Sequence, residues 1–164
     1  MDDLQLLIDL HKHGMRQGPG GDQETRLAVA LSGLKGMSHL SVADLGCGTG
    51  ASTRILAGEL DADVVAVDLF PAFLTKLNEY SRRAGLADRI TTVCASMAAL
   101  PFGEAAFDAI WSEGAIYNMG FAAGIKAWRR HLKPGGILAV SELTWLTDRR
   151  PGSCRPTGSA STQG

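Results

Sequence analysis

The stretch Val42-Ala-Asp-Leu-Gly-Cys-Gly-Thr-Gly-Ala-Ser-Thr53 determines the fold of this chain. Apolar residues up to Leu45 predict a buried strand, and Gly46, Gly48 and Gly50 predict a turn that leads into a helix. Glycine adopts backbone angles that a side chain forbids, and it lets a ligand lie against bare backbone. The following helix directs free N–H groups at the turn. The stretch therefore predicts a site for a nucleotide-like ligand with an anionic group.

A second predicted strand strengthens this interpretation. The stretch Asp63–Val67 is apolar from Val64 onward. Asp68 follows it directly, 22 residues after Gly46. An acid at this place accepts hydrogen bonds from ribose hydroxyls in dinucleotide-binding folds. Gly46, Gly48 and Ala51 also match the dinucleotide fingerprint. A nicotinamide cofactor therefore stays open at this point.

The motifs together resemble one family, the class I S-adenosyl-L-methionine-dependent methyltransferases. Asp44-Leu-Gly-Cys-Gly-Thr-Gly50 resembles their first motif, and Asp68 lies where their ribose acid lies. Ala95-Ser-Met97 and Leu132-Lys-Pro-Gly-Gly136 are similar to their adenine-contact segment and to their turn before the fifth strand. The chain most resembles small-molecule enzymes similar to those of quinone biosynthesis. Trp111–Asn118 resembles one uncharacterised bacterial and archaeal branch of that group.

Strands alternate with helices along the chain, which predicts an α/β fold. The expected architecture is a Rossmann-like three-layer α/β/α sandwich with a mainly parallel sheet, preceded by N-terminal helices. We expect a helical cap at residues 1–35, a cofactor-binding core at 36–146 and a disordered tail at 147–164. The sequence provides five of the family's seven strands, which predicts a chain truncated at its C-terminus. Its fifth strand would then be an exposed apolar edge that favours homodimerisation.

The resemblance implies S-adenosyl-L-methionine as the cofactor. It assigns contacts with the cofactor to Asp44, Gly46, Cys47, Gly48, Thr49, Gly50, Asp68, Leu69, Ser96, Met97 and Glu113. Asp44 would bind the ammonium group of the amino-acid tail, or else cap the glycine turn. Asp68 would bind the ribose hydroxyls, or else cap the next helix. Leu69 and Met97 would enclose the adenine, and Ser96 replaces an acid that many relatives carry.

The acceptor side is less defined. No catalytic residue is established, and Glu113 is the candidate that orients the acceptor or accepts its proton; the alternative is a salt bridge at the pocket rim. Tyr117 and Asn118 are candidate acceptor contacts. The resemblance implies that the loop Gly18-Pro-Gly-Gly21 lies near the methionine end of the cofactor; the alternative is a flexible connector. No residue spacing indicates a metal site.

Composition limits the partners. The chain has 164 residues and a net charge of −1, which argues against nucleic acid or a membrane surface as a partner. Three distant cysteines argue against a disulfide framework and favour the cytoplasm. The leading hypothesis is methyl transfer to a small-molecule acceptor by in-line displacement. The alternatives are a nicotinamide-dependent oxidoreductase, and a non-catalytic relative that only binds cofactor or dimerises.

Overall fold

A computed structural model describes residues 3–144 of the chain. Short loops join five helices and five strands in this region. The helices are α1 (Asp3–His11), α2 (Asp22–Leu31), α3 (Ala51–Glu59), α4 (Pro71–Arg83) and α5 (Phe121–Trp128). The strands are β1 (Leu40–Leu45), β2 (Ala62–Asp68), β3 (Ile90–Cys94), β4 (Phe107–Glu113) and β5 (Leu132–Ser141).

All five strands form one parallel sheet in the order β3-β2-β1-β4-β5. The order reverses direction between β1, which is followed by the glycine turn, and β4. Ligands of open parallel sheets bind outside the carboxyl ends of the strands at such a reversal. The topology therefore places the glycine turn and the end of β4 side by side.

Apolar side chains cover both faces of the sheet because successive residues of a strand point in opposite directions. Val42 contributes to a buried cluster that includes Val29 of α2, Leu56 of α3 and Leu77 of α4. The adjacent Ala43 belongs to a second cluster on the opposite face, with Trp128 of α5. This arrangement confirms the predicted three-layer α/β/α sandwich.

The fifth strand begins earlier than the sequence predicts. We expected a turn over Leu132–Gly136, but pairing with β4 already starts at Leu132. Phe107 faces Leu132 and Ala109 faces Ile137, so the extra residues bulge out of the ladder, with Gly135 at a φ of 77°. Within residues 3–144, β5 has a neighbour on one side only.

The N-terminal helices join the core closely. Val29 is fully buried in the first cluster, so α2 covers the sheet directly. The predicted separation of a cap at residues 1–35 from a core stays a prediction. The tail predicted to be disordered, residues 147–164, lies outside the described residues. Within the described part, no helix is long and apolar enough to cross a membrane.

Candidate cofactor and acceptor site

The turn after β1 is formed by glycines with positive φ angles. Gly46, Gly48 and Gly50 have φ values of 72°, 55° and 79°. The N–H groups of Gly46 and Cys47 both donate to the carbonyl of Val67, which fixes the turn to β2. A Cβ atom at Gly46 would lie 2.4 Å from the Cβ of Ala115. The turn therefore needs glycine both for its backbone angles and for the space beside it.

Asp44 is buried beneath this turn with one oxygen unpaired. The hydroxyls of Ser52 and Thr53 donate to Asp44 Oδ2 at 2.8 and 2.6 Å, while Oδ1 has no partner. Burial raises the pKa of Asp44 to about 6, against the lowering effect of the two hydroxyls. A buried acceptor without a partner is costly, so Oδ1 is available to a ligand donor.

Asp68 at the end of β2 holds the turn through backbone N–H groups. Gly48 N donates to Oδ2 at 2.8 Å, and Phe70 N donates to Oδ1 at 2.9 Å. Burial raises the pKa of Asp68 above its usual value, although these N–H groups lower it. Each oxygen keeps a second lone pair, so the carboxylate can brace the turn and still accept from a ligand.

Cys47 and Thr49 complete the turn. Burial raises the pKa of Cys47 well above its usual value, and the charges of Asp44 and Asp68 add to the effect. Its thiol is therefore not an activated nucleophile. Thr49 is fully buried, and its N–H donates to Oε1 of Gln17 at 3.0 Å.

The predicted adenine contacts lie beside the turn. Leu69 is 57% exposed after β2, and Ser96 is exposed after β3. Ser96 Oγ accepts from the N–H of Ala98. The carbonyl of Met97 accepts from the indole of Trp128 at 2.8 Å, so α5 fixes this segment. The structure thus brings Leu69, Ser96 and Met97 to the same edge of the sheet as Asp68.

Glu113 at the end of β4 is held by three donors. Its Oε2 accepts from Arg16 Nη1 at 2.8 Å and from the hydroxyl of Thr25 at 2.9 Å. Its Oε1 accepts from the indole of Trp111 at 2.8 Å. The structure therefore contains the salt bridge that we gave as the alternative, while a role as proton acceptor stays a prediction.

Tyr117 and Asn118 lie in a short 3₁₀ turn, Ile116–Asn118, after β4. Tyr117 is 62% exposed and lines a small cavity with the glycine turn. The amide of Asn118 donates to the carbonyl of Ala115 within the same turn. Tyr117 is therefore free to meet an acceptor, whereas Asn118 already supports its own backbone.

Sequence reasoning did not identify Arg16 and Gln17 as site residues. They belong to residues 12–20, which we call the strap, and which connect α1 to α2. Both line a cavity of about 110 Å³ together with Gly46, Gly48 and Glu113. The strap borders the glycine turn here, and its position near the methionine end of the cofactor stays a prediction. Its contacts join residues far apart in sequence, which no local pattern reveals.

Comparisons with known proteins identify the family. The family model described as "Methyltransferase domain" matches residues 42–136, more than half of the chain. This chain belongs to the methyltransferase-domain family. It is a class I S-adenosyl-L-methionine-dependent methyltransferase domain, which confirms the predicted family. The comparisons give no support to the nicotinamide alternative.

Two curated methyltransferases illustrate the similarity. Erythromycin 3''-O-methyltransferase of Saccharopolyspora erythraea is 35% identical over 79% of this chain and 44% of its own length. Demethylmenaquinone methyltransferase of Corynebacterium urealyticum is 38% identical over 63% of this chain and 41% of its own length. The chain thus spans less than half the length of these relatives.

A solved methyltransferase structure shows the same fold. Geranyl diphosphate C-methyltransferase from Streptomyces coelicolor, crystallised with Mg²⁺, geranyl diphosphate and S-adenosyl-L-homocysteine, superposes with a TM-score of 0.62 at 24% identity. The match covers 71% of this chain and 45% of that chain.

The unpaired Asp44 Oδ1 and the crowded Gly46 of this methyltransferase domain fit a ligand with an ammonium group against bare backbone. S-adenosyl-L-methionine is its cofactor.

Proposed function

We propose that this chain takes part in methyl transfer from S-adenosyl-L-methionine to a small-molecule acceptor by in-line displacement. The observation that carries the proposal is the buried Asp44 with its unpaired Oδ1 under a glycine turn that leaves no room for side chains. When bound, the cofactor supplies a methyl group on a sulfonium centre, which is already a good leaving group. The chain itself then has to bind and align the cofactor and the acceptor, and to exclude water from them.

The cofactor contacts follow from the described geometry. Asp44 Oδ1 accepts from the ammonium group, and the backbone of Gly46–Gly50, with Cys47 and Thr49, packs against the tail and ribose. Asp68 accepts from the ribose hydroxyls with its remaining lone pairs. The exposed Leu69 and the side chain of Met97 enclose the adenine, and Ser96 offers a hydroxyl to its edge.

The acceptor side is formed by the end of β4 and the turn that follows it. Tyr117 is the exposed candidate contact, and Asn118 contributes once its amide leaves the carbonyl of Ala115. Glu113 is the candidate catalytic residue; its Oε1 accepts only from Trp111 and keeps a second lone pair for a proton. We assign the chain no nucleic-acid partner, since its net charge is −1.

Assembly and location are also part of the proposal. The edge strand β5 and helix α2 border an apolar groove of about 580 Å³, and Leu31 and Leu143 are about four-fifths exposed beside it. A second copy of the chain would cover this edge. Light scattering would show twice the mass of 17.3 kDa at rising concentration; a constant single mass would exclude the dimer. Free thiols at Cys47 and Cys94 support a cytoplasmic location.

Calorimetric titration with S-adenosyl-L-methionine tests the cofactor assignment. We expect the wild type to bind the cofactor and Asp68→Asn to bind it at least about tenfold more weakly. The substitution replaces a charged hydrogen-bond acceptor with a neutral amide. Asp63→Asn, an exposed position on the same strand, is the matched control and should bind like the wild type. Equal binding by all three proteins would contradict the role of Asp68.

The alternative is a chain that binds cofactor without transferring a methyl group. An acceptor screen with radiolabelled cofactor, run on the protein that passes the titration, separates the two. Transfer of label to any small molecule excludes the non-catalytic alternative. Binding without transfer across the screen would favour it.

A further inference from the structure

The strap lies against the glycine turn and is hydrogen-bonded to it through Gln17. Oε1 of Gln17 accepts from the N–H of Thr49, and its Nε2 donates to the Thr49 hydroxyl and to the carbonyl of Gly14. The hydroxyl of Thr49 in turn donates to the carbonyl of Gly14. The strap thus occupies the N–H that Thr49 presents in the glycine turn, just before the N-cap Gly50 of α3.

The space left between the strap and the glycine turn is small. The cavity bounded by the strap, the glycine turn and Gly114 has a volume of about 110 Å³. A Cβ atom at Gly48 would lie 2.3 Å from Oε1 of Gln17, so the amide lies directly against the turn. A ligand that accepts from the N–H of Thr49 can reach it only after Gln17 has moved.

One ion pair fastens the strap to the sheet. Arg16 donates to Glu113 at the end of β4, and its Nη2 also reaches Thr25 and Asp22 of α2. The side chains of Arg16 and Glu113 are only 16% and 15% exposed, so solvent screens the pair less than a surface pair. Trp111 and Thr25 fix the carboxylate from the other side.

We propose that Arg16 and Glu113 are positioning residues that latch the strap shut, so that Gln17 competes with the cofactor for the Thr49 end of the glycine turn. Breaking the latch opens the strap, frees the turn and makes cofactor association faster and binding tighter. The expected change in cofactor association rests on the proposed function, whereas the opening of the strap can be measured without a ligand.

Two other roles for the pair predict different results. If Arg16 held the carboxylate of the cofactor, its removal would weaken binding. If Glu113 served only as a proton acceptor, Glu113→Gln would slow methyl transfer and leave the strap in place. A latch predicts changes in the same direction for both variants, and a smaller change in Glu113→Gln because Arg16 keeps its contacts with Asp22 and Thr25.

Hydrogen exchange in the ligand-free protein tests the latch directly. In Arg16→Gln we expect the amide of Thr49 to exchange about tenfold faster. The contribution of this partly buried ion pair to holding the strap should lie between those of a surface pair and a buried pair. The amide of Cys47, which donates to Val67 within the sheet, is the internal control and should not change. Arg16→Lys keeps the charge and should restore part of the protection. Unchanged exchange at Thr49, or equal acceleration at both amides, would overturn the proposal.

Stopped-flow binding of S-adenosyl-L-homocysteine, followed by tryptophan fluorescence, tests the consequence. We expect Arg16→Gln to associate about tenfold faster with an unchanged dissociation rate, and Glu113→Gln to associate faster than the wild type by a smaller factor. Arg26→Gln, which breaks the exposed pair with Glu59, is the matched control and should behave like the wild type. Weaker binding in Arg16→Gln would overturn the latch. No binding by the wild type would contradict the proposed function, and the exchange comparison would still decide the latch.

Discussion

The glycine turn and the strap border the same small cavity, but different kinds of contact hold them. Backbone bonds from Gly46 and Cys47 to Val67 hold the turn within the sheet. Side chains hold the strap, through Gln17 to Thr49 and Arg16 to Glu113. Regions with few buried apolar contacts open at lower free energy than the core. The turn therefore unfolds with the whole domain, whereas the strap can open alone.

The largest expected effect concerns the turn. Gly46→Ala should lower the free energy of unfolding by about 4 kcal/mol for two reasons. An alanine is strained at a φ of 72°, and its Cβ would clash with Ala115. Gly33→Ala has a similar φ of 74° with nothing within 4 Å, so it should lose only about 1 kcal/mol. Urea unfolding of both variants measures the difference. Equal losses would show that the turn tolerates a side chain.

The second effect is the pH dependence of the buried carboxylate. The pKa of Asp44 rises from 3.8 to about 6 on folding, so the native protein keeps this carboxyl protonated up to a higher pH than the unfolded protein does. The wild type should therefore lose up to about 3 kcal/mol relative to Asp44→Asn as the pH rises through this interval. Thermal unfolding of both proteins at a series of pH values measures the loss. A constant difference would contradict the raised pKa.

The smallest effect concerns the strap. Gln17→Ala should lower the global free energy of unfolding by less than about 1 kcal/mol, because a half-buried hydrogen bond contributes little net stability. The same variant should speed hydrogen exchange at Thr49 while Cys47 keeps its protection. Urea unfolding and exchange on one sample measure both quantities. A global loss comparable to that of Gly46→Ala would remove the distinction between the two regions.

Local patterns in the sequence were enough to predict the turn. The apolar strand, the spaced glycines and the acids Asp44 and Asp68 lie within a few tens of residues, and strand-helix alternation fixes how they meet. The parallel three-layer sandwich followed from the same alternation. The unpaired oxygen of Asp44 could not be read from sequence, since it depends on Ser52 and Thr53 satisfying the other oxygen.

Long-range and edge features escaped prediction for a physical reason. Arg16 and Glu113 are 97 residues apart, and nothing near either residue indicates its partner. The resemblance to the family indicated a turn over Leu132–Gly136 before the fifth strand. The register between β4 and β5 absorbs these residues as a bulge instead.

The burial of Asp44 also links cofactor binding to proton release. Near pH 6 the carboxyl is about half protonated in the free protein. A positively charged ligand group beside Oδ1 favours the ionised form, so each binding event should expel about half a proton into the buffer. The heat of binding measured at this pH should therefore depend on the ionisation enthalpy of the buffer, and the dependence should vanish well above pH 7.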